Sequence, residues 1–432
     1  MQAKFDESEY SALLERIFAI TPSVQSVGFS AGAYKPGLEG MQAFDTRLGH
    51  PWRQYRCIHV AGTNGKGSVA SMLAGALAAS GFRVGLYTSP HLVDFRERMK
   101  VVTADGWAMP SKEEVWDFFR TCLCDSSGEP DFRGLSFFEM TTGLAFRWFA
   151  LRKVDWAVIE TGLGGRLDST NIITPELSVI SSIGLDHCAL LGSTRAEIAL
   201  EKAGIFKSGV PAVVASKDPE TAPVFRDVAD RKGCPLLFAD AVPSGLDEGA
   251  LLHSMDLQGP CQKQNLHTAL SALKALGIEA TQAVVSALQN TAAMTGLRGR
   301  WEKLQDRPEV ICDIAHNPPA LEINFGRLRG LDRPLTVVYG IMADKDLGGI
   351  APLMPSGARY ILAAPAIPRA LPAEELAKRL SELRPDLALE TARSVAEAVR
   401  KAVSEATPDT LVYIGGSTFV VTEAIEFFDP AR

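Results

Sequence analysis

A run from Cys57 to Ser80, CIHVAGTNGKGSVASMLAGALAAS, joins an apolar strand pattern to a helix of small residues through a glycine-rich turn holding one lysine. Gly62, Gly65 and Gly67 let the backbone turn tightly and bring N–H groups close to an anion. A helix beginning near Ser68 aims its positive dipole end at the same point, and Lys66 adds a point charge. These residue types in this order make a phosphate cradle. The P-loop pattern G-x-x-x-x-G-K-[ST] is not met literally, because Val60 stands at the first glycine and Gly67 at the hydroxyl position. A hydroxyl shifted by one residue, or supplied from elsewhere, must then hold a metal, which marks a subclass of nucleotide enzymes.

Further reactive side chains gather just beyond other apolar runs. Phe82–Tyr87 reads as a strand and leads into TSPHLVDFRERM, which puts Ser89, His91, Arg96 and Arg98 on a loop at its carboxyl end. Trp156–Thr161 ends in Glu160 and is followed by GLGGRLDSTN; Leu177–Ile183 ends in GLDH, with Asp186 and His187 at the edge. A strand over 309–314 ends in DIAHNP, with Asp313, His316 and Asn317. Open parallel sheets bind ligands at such strand ends. Within helices, Glu139 interrupts an apolar turn of Ser136–Lys153 and needs a partner. The like-charged Glu197 and Glu201 on a helix over 194–206, beside Lys202, imply a cation nearby.

The elements that must position these groups alternate strand and helix, so the chain reads as α/β. Strands are expected at 55–60, 82–87, 156–161, 177–183, 212–215 and 235–239, with helices at 6–19, 111–124, 136–153, 194–206, 264–276 and 280–293. Gly28–Gly40 reads as a loop leading to a short helix, and 240–262 as irregular. After a linker at 294–303 the alternation restarts, with strands near 309–314, 335–340, 359–363, 387–390 and 411–415. The expectation is a P-loop ATPase-type N-terminal domain with a mainly parallel sheet, residues 1–297, and a smaller Rossmann-like α/β C-terminal domain, residues 298–432. A ligand lying between two such domains is the economical picture. A chain of 432 residues with net charge −7 and no basic block is not a nonspecific nucleic-acid binder. Its acidic, polar start and the lack of a long apolar run argue for no membrane partner and a cytoplasmic location. The seven scattered cysteines fit reduced core thiols.

With these segments assembled, the chain resembles the folylpolyglutamate synthase and dihydrofolate synthase family, relatives of the Mur peptide ligases, from about residue 39 onward. The motifs are GTNGKGS (62–68), LYTSPHL (86–92), ETGLGGRLDSTN (160–171), GLDH (184–187), EKAGIFK (201–207), GRW (299–301) and DIAHNP (313–318), in the family's order. The resemblance implies a Mur-like central ATP domain, a C-terminal glutamate ligase domain, and an amide formed from a carboxylate and the amine of L-glutamate through an acyl phosphate. The carboxylate is that of dihydropteroate, the γ-carboxylate of a reduced folate, or both. It implies that ATP is held by Gly62, Thr63, Asn64, Gly65, Lys66, Gly67 and Ser68, with Asn265, Arg300 and Asp313. Ser89, Glu160, His187 and a carbamylated Lys202 would hold two magnesium ions, with a monovalent cation as a further cofactor. Ser136, Phe137, Phe138, Glu139, Leu167, Asp168 and Ser169 match pterin-binding positions, with Phe138 offering a flat stacking surface. Lys66, Lys202, Asp313 and His316 are the catalytic candidates, with the base for the glutamate amine open between His316 and Asp313. A monomer is expected. A Mur-type cell-wall ligase is opposed by Gly67 and the TSPHL loop, and a nucleotide switch by ADKD (343–346), which lacks the asparagine of a guanine-reading motif.

Overall fold

The structure is a computed structural model and describes residues 5–21, 28, 35–125, 127, 131–132, 134–243 and 245–430. The chain divides into two compact units. The first comprises Met1–Ile183, His187–Ser254 and Gln264–Gly296; the second comprises Gly184–Asp186, Met255–Lys263 and Leu297–Arg432.

The first unit is built on an eight-stranded sheet: β1 (Arg56–Ala61), β2 (Val84–Tyr87), β3 (Met99–Thr103), β4 (Gly106–Ala108), β5 (Trp156–Glu160), β6 (Leu177–Ile180), β7 (Ala212–Val214) and β8 (Leu236–Phe238). Its order is β4-β3-β2-β5-β1-β6-β7-β8, and six of the strands run parallel. β5 and β1 therefore lie in the middle. The carboxyl ends of β2, β5, β1 and β6 stand side by side, where a doubly wound sheet offers a crevice. Every residue of β2, β5 and β6 is buried, as expected for strands covered on both faces.

The helix Lys66–Ala79 crosses the sheet beneath the helices Gln282–Gln289 and Thr291–Thr295. Gly67 through Ala78 are all buried, so the helix is apolar on every side rather than along one stripe. Its alanines, serines and glycines are what let it lie this close. On the other sheet face Tyr87, Trp116, Phe118, Phe119, Phe146, Trp148 and Phe149 form an aromatic core with Met140 and Leu144.

The second unit carries six strands: β9 (Glu302–Asp306), β10 (Glu309–Cys312), β11 (Leu335–Tyr339), β12 (Arg359–Leu362), β13 (Ala388–Thr391) and β14 (Leu411–Gly415). They are ordered β13-β12-β11-β14-β10-β9, with only β9 antiparallel. Tyr339, Tyr360, Tyr413 and Phe325 fill its core.

Several expectations need correction. The linker expected at 294–303 is shorter, 296–301, since Thr291–Thr295 is helical and Glu302 opens β9. The irregular stretch 240–262 contains a helix, Glu248–Ser254. The helix over 280–293 is two helices broken at Asn290. The antiparallel β3–β4 hairpin lies outside the expected elements altogether. All seven cysteines are thiols, but only Cys57, Cys234 and Cys312 are buried, and Cys188 is exposed, so core thiols describe fewer than half. The loop expected over Gly28–Gly40 lies in part outside the described residues. Among the described residues no helix is long and apolar enough to cross a membrane.

Candidate active site

At the carboxyl end of β1 the turn Gly62–Gly65 is pinned from below by strand β6 and its extension. Thr63 N–H donates to the Ser182 carbonyl at 2.7 Å, and Asn64 N–H to Ser182 Oγ at 3.2 Å. The Asn64 carbonyl accepts both the Ser181 and Ser182 hydroxyls, at 2.7 and 3.0 Å. Two glycines are required here. Gly62 has φ 153°, and a Cβ on it would stand 1.8 Å from Ser181 Oγ; Gly65 has φ 85°, with a Cβ falling 2.3 Å from Asn265 Oδ1. Asn265 is buried and lies against the cradle, so the structure brings it to the loop from the helix Gln262–Ala275.

The helix starts at Lys66, two residues earlier than expected, and Gly65 caps it without any side-chain hydrogen bond. Most other helices here are capped by Asp, Ser, Thr or Asn, as at Ser111, Ser136 and Thr194. A helix end left open above a glycine turn is the geometry that accepts an anion. Gly67 and Ser68 are buried inside the first turn. The Lys66 ammonium donates to the Thr63 carbonyl at 3.1 Å and lies 4.0 Å from Glu160 Oε1.

Glu160 ends β5 opposite Val60 of β1, and its carboxylate is buried. Its Oε2 accepts the Ser89 N–H at 3.2 Å, so the loop after β2 closes on the end of β5. The Ser89–Pro90 peptide is cis. Further along this loop Arg98, itself buried, donates from Nε to His91 Nδ1 at 2.9 Å and lies over the Phe137 ring. Burial and the Arg98 charge hold His91 well below the usual histidine range. His187 follows the β6 edge in a left-handed conformation, φ 54°, at the head of the short turn Cys188–Leu191.

Lys202 is buried and donates to the Gly62 carbonyl at 2.8 Å, so the helix Arg195–Ala203 braces the cradle through its ammonium. Its neighbour Glu201 takes Arg166 through bonds of 3.2, 3.3 and 2.9 Å. Glu197 caps its own helix with Thr194, so the two like charges are answered separately. Among the described residues no three His, Cys, Asp or Glu side chains converge as a metal cluster. The donors present at Glu160 and Ser89 still fit magnesium, which prefers hard oxygens and takes only one or two carboxylates, with water and phosphate completing its shell.

The substrate candidates divide in two. Ser136 and Glu139 form a reciprocal cap on the helix Phe137–Leu151, with Ser136 N–H to Glu139 Oε2 at 2.7 Å and Glu139 N–H to Ser136 Oγ at 3.2 Å. The partner that a buried Glu139 requires is thus its own helix start. Phe137 is buried, whereas the half-buried Phe138 ring stands against Gly162, where a Cβ would come within 2.5 Å of Cζ. Asp168 is buried and gathers the loop after Glu160: Leu163 N–H reaches its Oδ2 at 2.8 Å and Thr170 N–H its Oδ1 at 3.0 Å. Burial pushes its carboxyl up, against the pull of these donors. Leu167 is half-buried and Ser169 buried on the same loop.

In the second unit, Asp313 directly follows β10 with both oxygens engaged by backbone. Oδ2 accepts Trp301 N–H and Oδ1 accepts Ala315 N–H, each at 2.8 Å. Burial raises its carboxyl, opposed by the Ala315 N–H and by the Arg300 charge. The bond to Trp301, which has φ 54°, fixes the GRW turn, where Arg300 Nη1 bonds the Arg298 carbonyl at 3.2 Å. His316 donates from Nδ1 to the Ile314 carbonyl at 3.0 Å, and its Nε2 lies 3.8 Å from Asp186. Asp186 also takes Asn317 Nδ2 at 2.8 Å and Lys345 Nζ at 3.5 Å. Lys345, which sequence reasoning did not single out, joins Asp186 in this cluster. Its signal was the position of ADKD shortly after the end of β11.

A mainly parallel sheet with an open glycine cradle, a lysine and a buried carboxylate at adjacent strand ends defines a nucleotide-dependent α/β enzyme. Residues 299–418 match the family described as Mur ligase, glutamate ligase domain. The dihydrofolate synthase/folylpolyglutamate synthase of Escherichia coli (strain K12) is 34% identical over 409 residues, covering 92% of each chain. Among solved structures, E. coli FolC in complex with DHPP and ADP is similar with TM-score 0.80 and 30% identity, covering 98% of each chain. A bifunctional folylpolyglutamate synthase/dihydrofolate synthase with Mn, AMPPNP and L-glutamate bound gives TM-score 0.79 and 29% identity over 96% of this chain and 97% of that one. The chain belongs to the dihydrofolate synthase/folylpolyglutamate synthase family of ATP-dependent ligases.

Proposed function

We propose that the chain phosphorylates the carboxylate of a pterin-bearing substrate with ATP and then joins the acyl group to the amine of L-glutamate. The observation that carries this reading is the junction at β1 and β5, where an uncapped helix end, Lys66 and the buried Glu160 meet beside Ser89. A carboxylate resists an amine because oxide leaves poorly; as an acyl phosphate it leaves as phosphate.

The cradle amides and Lys66 bind the ATP phosphates and neutralise charge as the γ-phosphoryl moves, with Asn265 and Arg300 as nucleotide contacts. Magnesium, as two ions held by Glu160, Ser89, His187 and Lys202, would supply charge neutralisation at the transferring group. A monovalent cation is an added expectation for the phosphate site. For the glutamate amine we assign His316 as base. Its Nδ1–H is committed to a carbonyl, which leaves Nε2 as the nitrogen able to take a proton, whereas both Asp313 oxygens accept backbone N–H groups. Asp313 instead holds the GRW turn. Phe138 stacks the pterin, with Leu167 and Ser169 lining the same loop.

Lys202 is proposed to lose one proton from its ammonium, add carbon dioxide through the free amine and lose a second proton, becoming a carbamate that would supply an anionic oxygen ligand to a metal. Acetate should then partly restore Lys202→Ala activity; rescue by an amine instead would discard the carbamate. The working unit is proposed as a monomer in the cytoplasm, with residues 1–297 binding ATP and 298–432 serving glutamate. Purified protein given ATP, glutamate and either dihydropteroate or a reduced folate should release phosphate and form a new amide. No phosphate release with either acceptor would sink the reading.

A further inference from the structure

A buried histidine that the chemistry above does not use lies in β1, three residues before Gly62. His59 is fully buried among Ile58, Val60 and Ala61, a strand otherwise filled with apolar side chains. Its Nε2 lies 2.8 Å from Thr170 Oγ1, and that hydroxyl in turn donates to Asp168 Oδ1.

The direction of the protons along this chain follows from the groups themselves. Asp168 is surrounded by donors: the backbone N–H groups of Gly162, Leu163 and Thr170, and the Thr170 hydroxyl. A carboxyl facing donors alone is the ionised acceptor, so the one hydroxyl proton of Thr170 points at it. The Thr170 oxygen must therefore accept from the other side, and its donor is His59 Nε2–H. Burial and the Lys207 charge hold the His59 pKa down to about 3, so the ring is neutral and Nδ1 carries the lone pair. That Nδ1 is buried with no hydrogen-bond partner. An unpartnered buried nitrogen lowers stability, so a well-packed core does not explain a histidine at this position. What His59 does provide is one oriented donor to Thr170.

The far end of the relay is the loop Gly162–Ser169, which Asp168 ties into one shape and whose Gly162 meets the Phe138 ring. We infer that His59 and Thr170 are positioning residues for the pterin-bearing substrate, acting through Asp168 to hold this loop against Phe138. The inference rests on the proposed function for what the loop binds, though not for how it is held. Neither residue touches the reacting atoms. Their loss changes the fit of the acceptor and leaves the phosphate cradle alone, because the cradle is pinned by Ser181 and Ser182 instead.

The test compares two pairs of variants in the full-length protein. Thr170→Val and His59→Leu break the relay, while Thr170→Ser keeps the hydroxyl and His59→Gln keeps an N–H donor. The first pair should raise KM for the pterin-bearing acceptor by about tenfold with KM for ATP within about twofold, and the second pair should stay near wild type. Hydrogen exchange of the peptide 160–171 should quicken in the first pair only, since the Leu163 and Thr170 amides lose a fixed acceptor. Equal rises in both KM values, or failure of the Ser and Gln variants to differ from Val and Leu, would reduce the residues to general stability and overturn the inference. Unchanged exchange overturns it as well. If His59→Leu does not fold, the Thr170 pair decides. A wild-type enzyme that ignores pterin acceptors defeats the proposed function, and the exchange comparison then still decides whether the relay holds the loop.

Discussion

The two sheets put reactive groups at their carboxyl edges by opposite means. In the first unit the binding surface is backbone: glycines open the turn, serines of the next strand pin it from behind, and Lys66 bonds one carbonyl and stands 4.0 Å from Glu160. In the second unit the edge is held by a side chain, Asp313, whose two oxygens tie the strand end and the GRW turn together. A group of the first kind can be removed without disturbing the fold. One of the second kind cannot, so activity loss at Asp313 would say little about chemistry.

That contrast can be broken experimentally, starting with the largest effect. Lys66→Ala should lower kcat/KM at least about 100-fold while the protein stays folded, because a preorganised charge is lost from a half-buried turn beside Glu160. Turnover retained within about tenfold, roughly 1.4 kcal/mol, would remove the P-loop from the mechanism. Glu160→Gln and His187→Ala should each raise the magnesium needed for half-maximal activity by on the order of tenfold. A titration unchanged in both variants would move the metal away from this strand edge.

Ser136→Ala sharpens the same distinction inside the first unit. As a helix cap it should destabilise the protein by about 1 kcal/mol, read by denaturant midpoint, with little effect on acceptor KM. A raised KM with unaltered stability would return Ser136 to the binding surface. The smallest effect belongs to the rim of the second unit, where Arg359 and Lys401 hold the Glu390 carboxylate down at about 2. Its folded pKa lies below the ordinary 4.5, so its stabilisation is present above that pH and fades as pH falls toward 2. The pair is partly exposed, so Glu390→Gln should cost less than about 1 kcal/mol at pH 7, with wild type and variant converging in acid. A gap that persists at low pH would mean the glutamine disturbs packing instead.

The parallel strands of both units were legible because buried strands of this kind are short apolar runs ending in glycine or polar residues. The cradle was legible for the same reason that it works: glycines and a lysine have few other causes to occur together in that order. The β3–β4 hairpin was not, since Lys100 interrupts the apolar pattern of MKVVT, and the Gly296 carbonyl that its buried ammonium meets is far away in sequence. β9 is a polar edge strand, EKLQD, whose pairing is decided by its neighbour rather than by its own composition. Ser136 and Glu139 show a different failure. Their S-x-x-E spacing is a local capping signal, and it accounts for both side chains before any ligand is considered. His59 could not be read at all from a single sequence, since its partner Thr170 lies four strands later in the chain.

The strained turn at Trp301 also gives the molecule an optical handle. Of six tryptophans only Trp301 belongs to the second unit, while Trp52, Trp107, Trp116, Trp148 and Trp156 belong to the first. It is buried against Tyr413, with ring centroids 5.7 Å apart, and the Arg327 guanidinium lies 4.4 Å above its ring. A difference emission spectrum between wild type and Trp301→Phe therefore isolates the second unit alone. Quenching of that single fluorophore would report ligand arrival at the GRW turn in real time, without a label and without waiting for turnover.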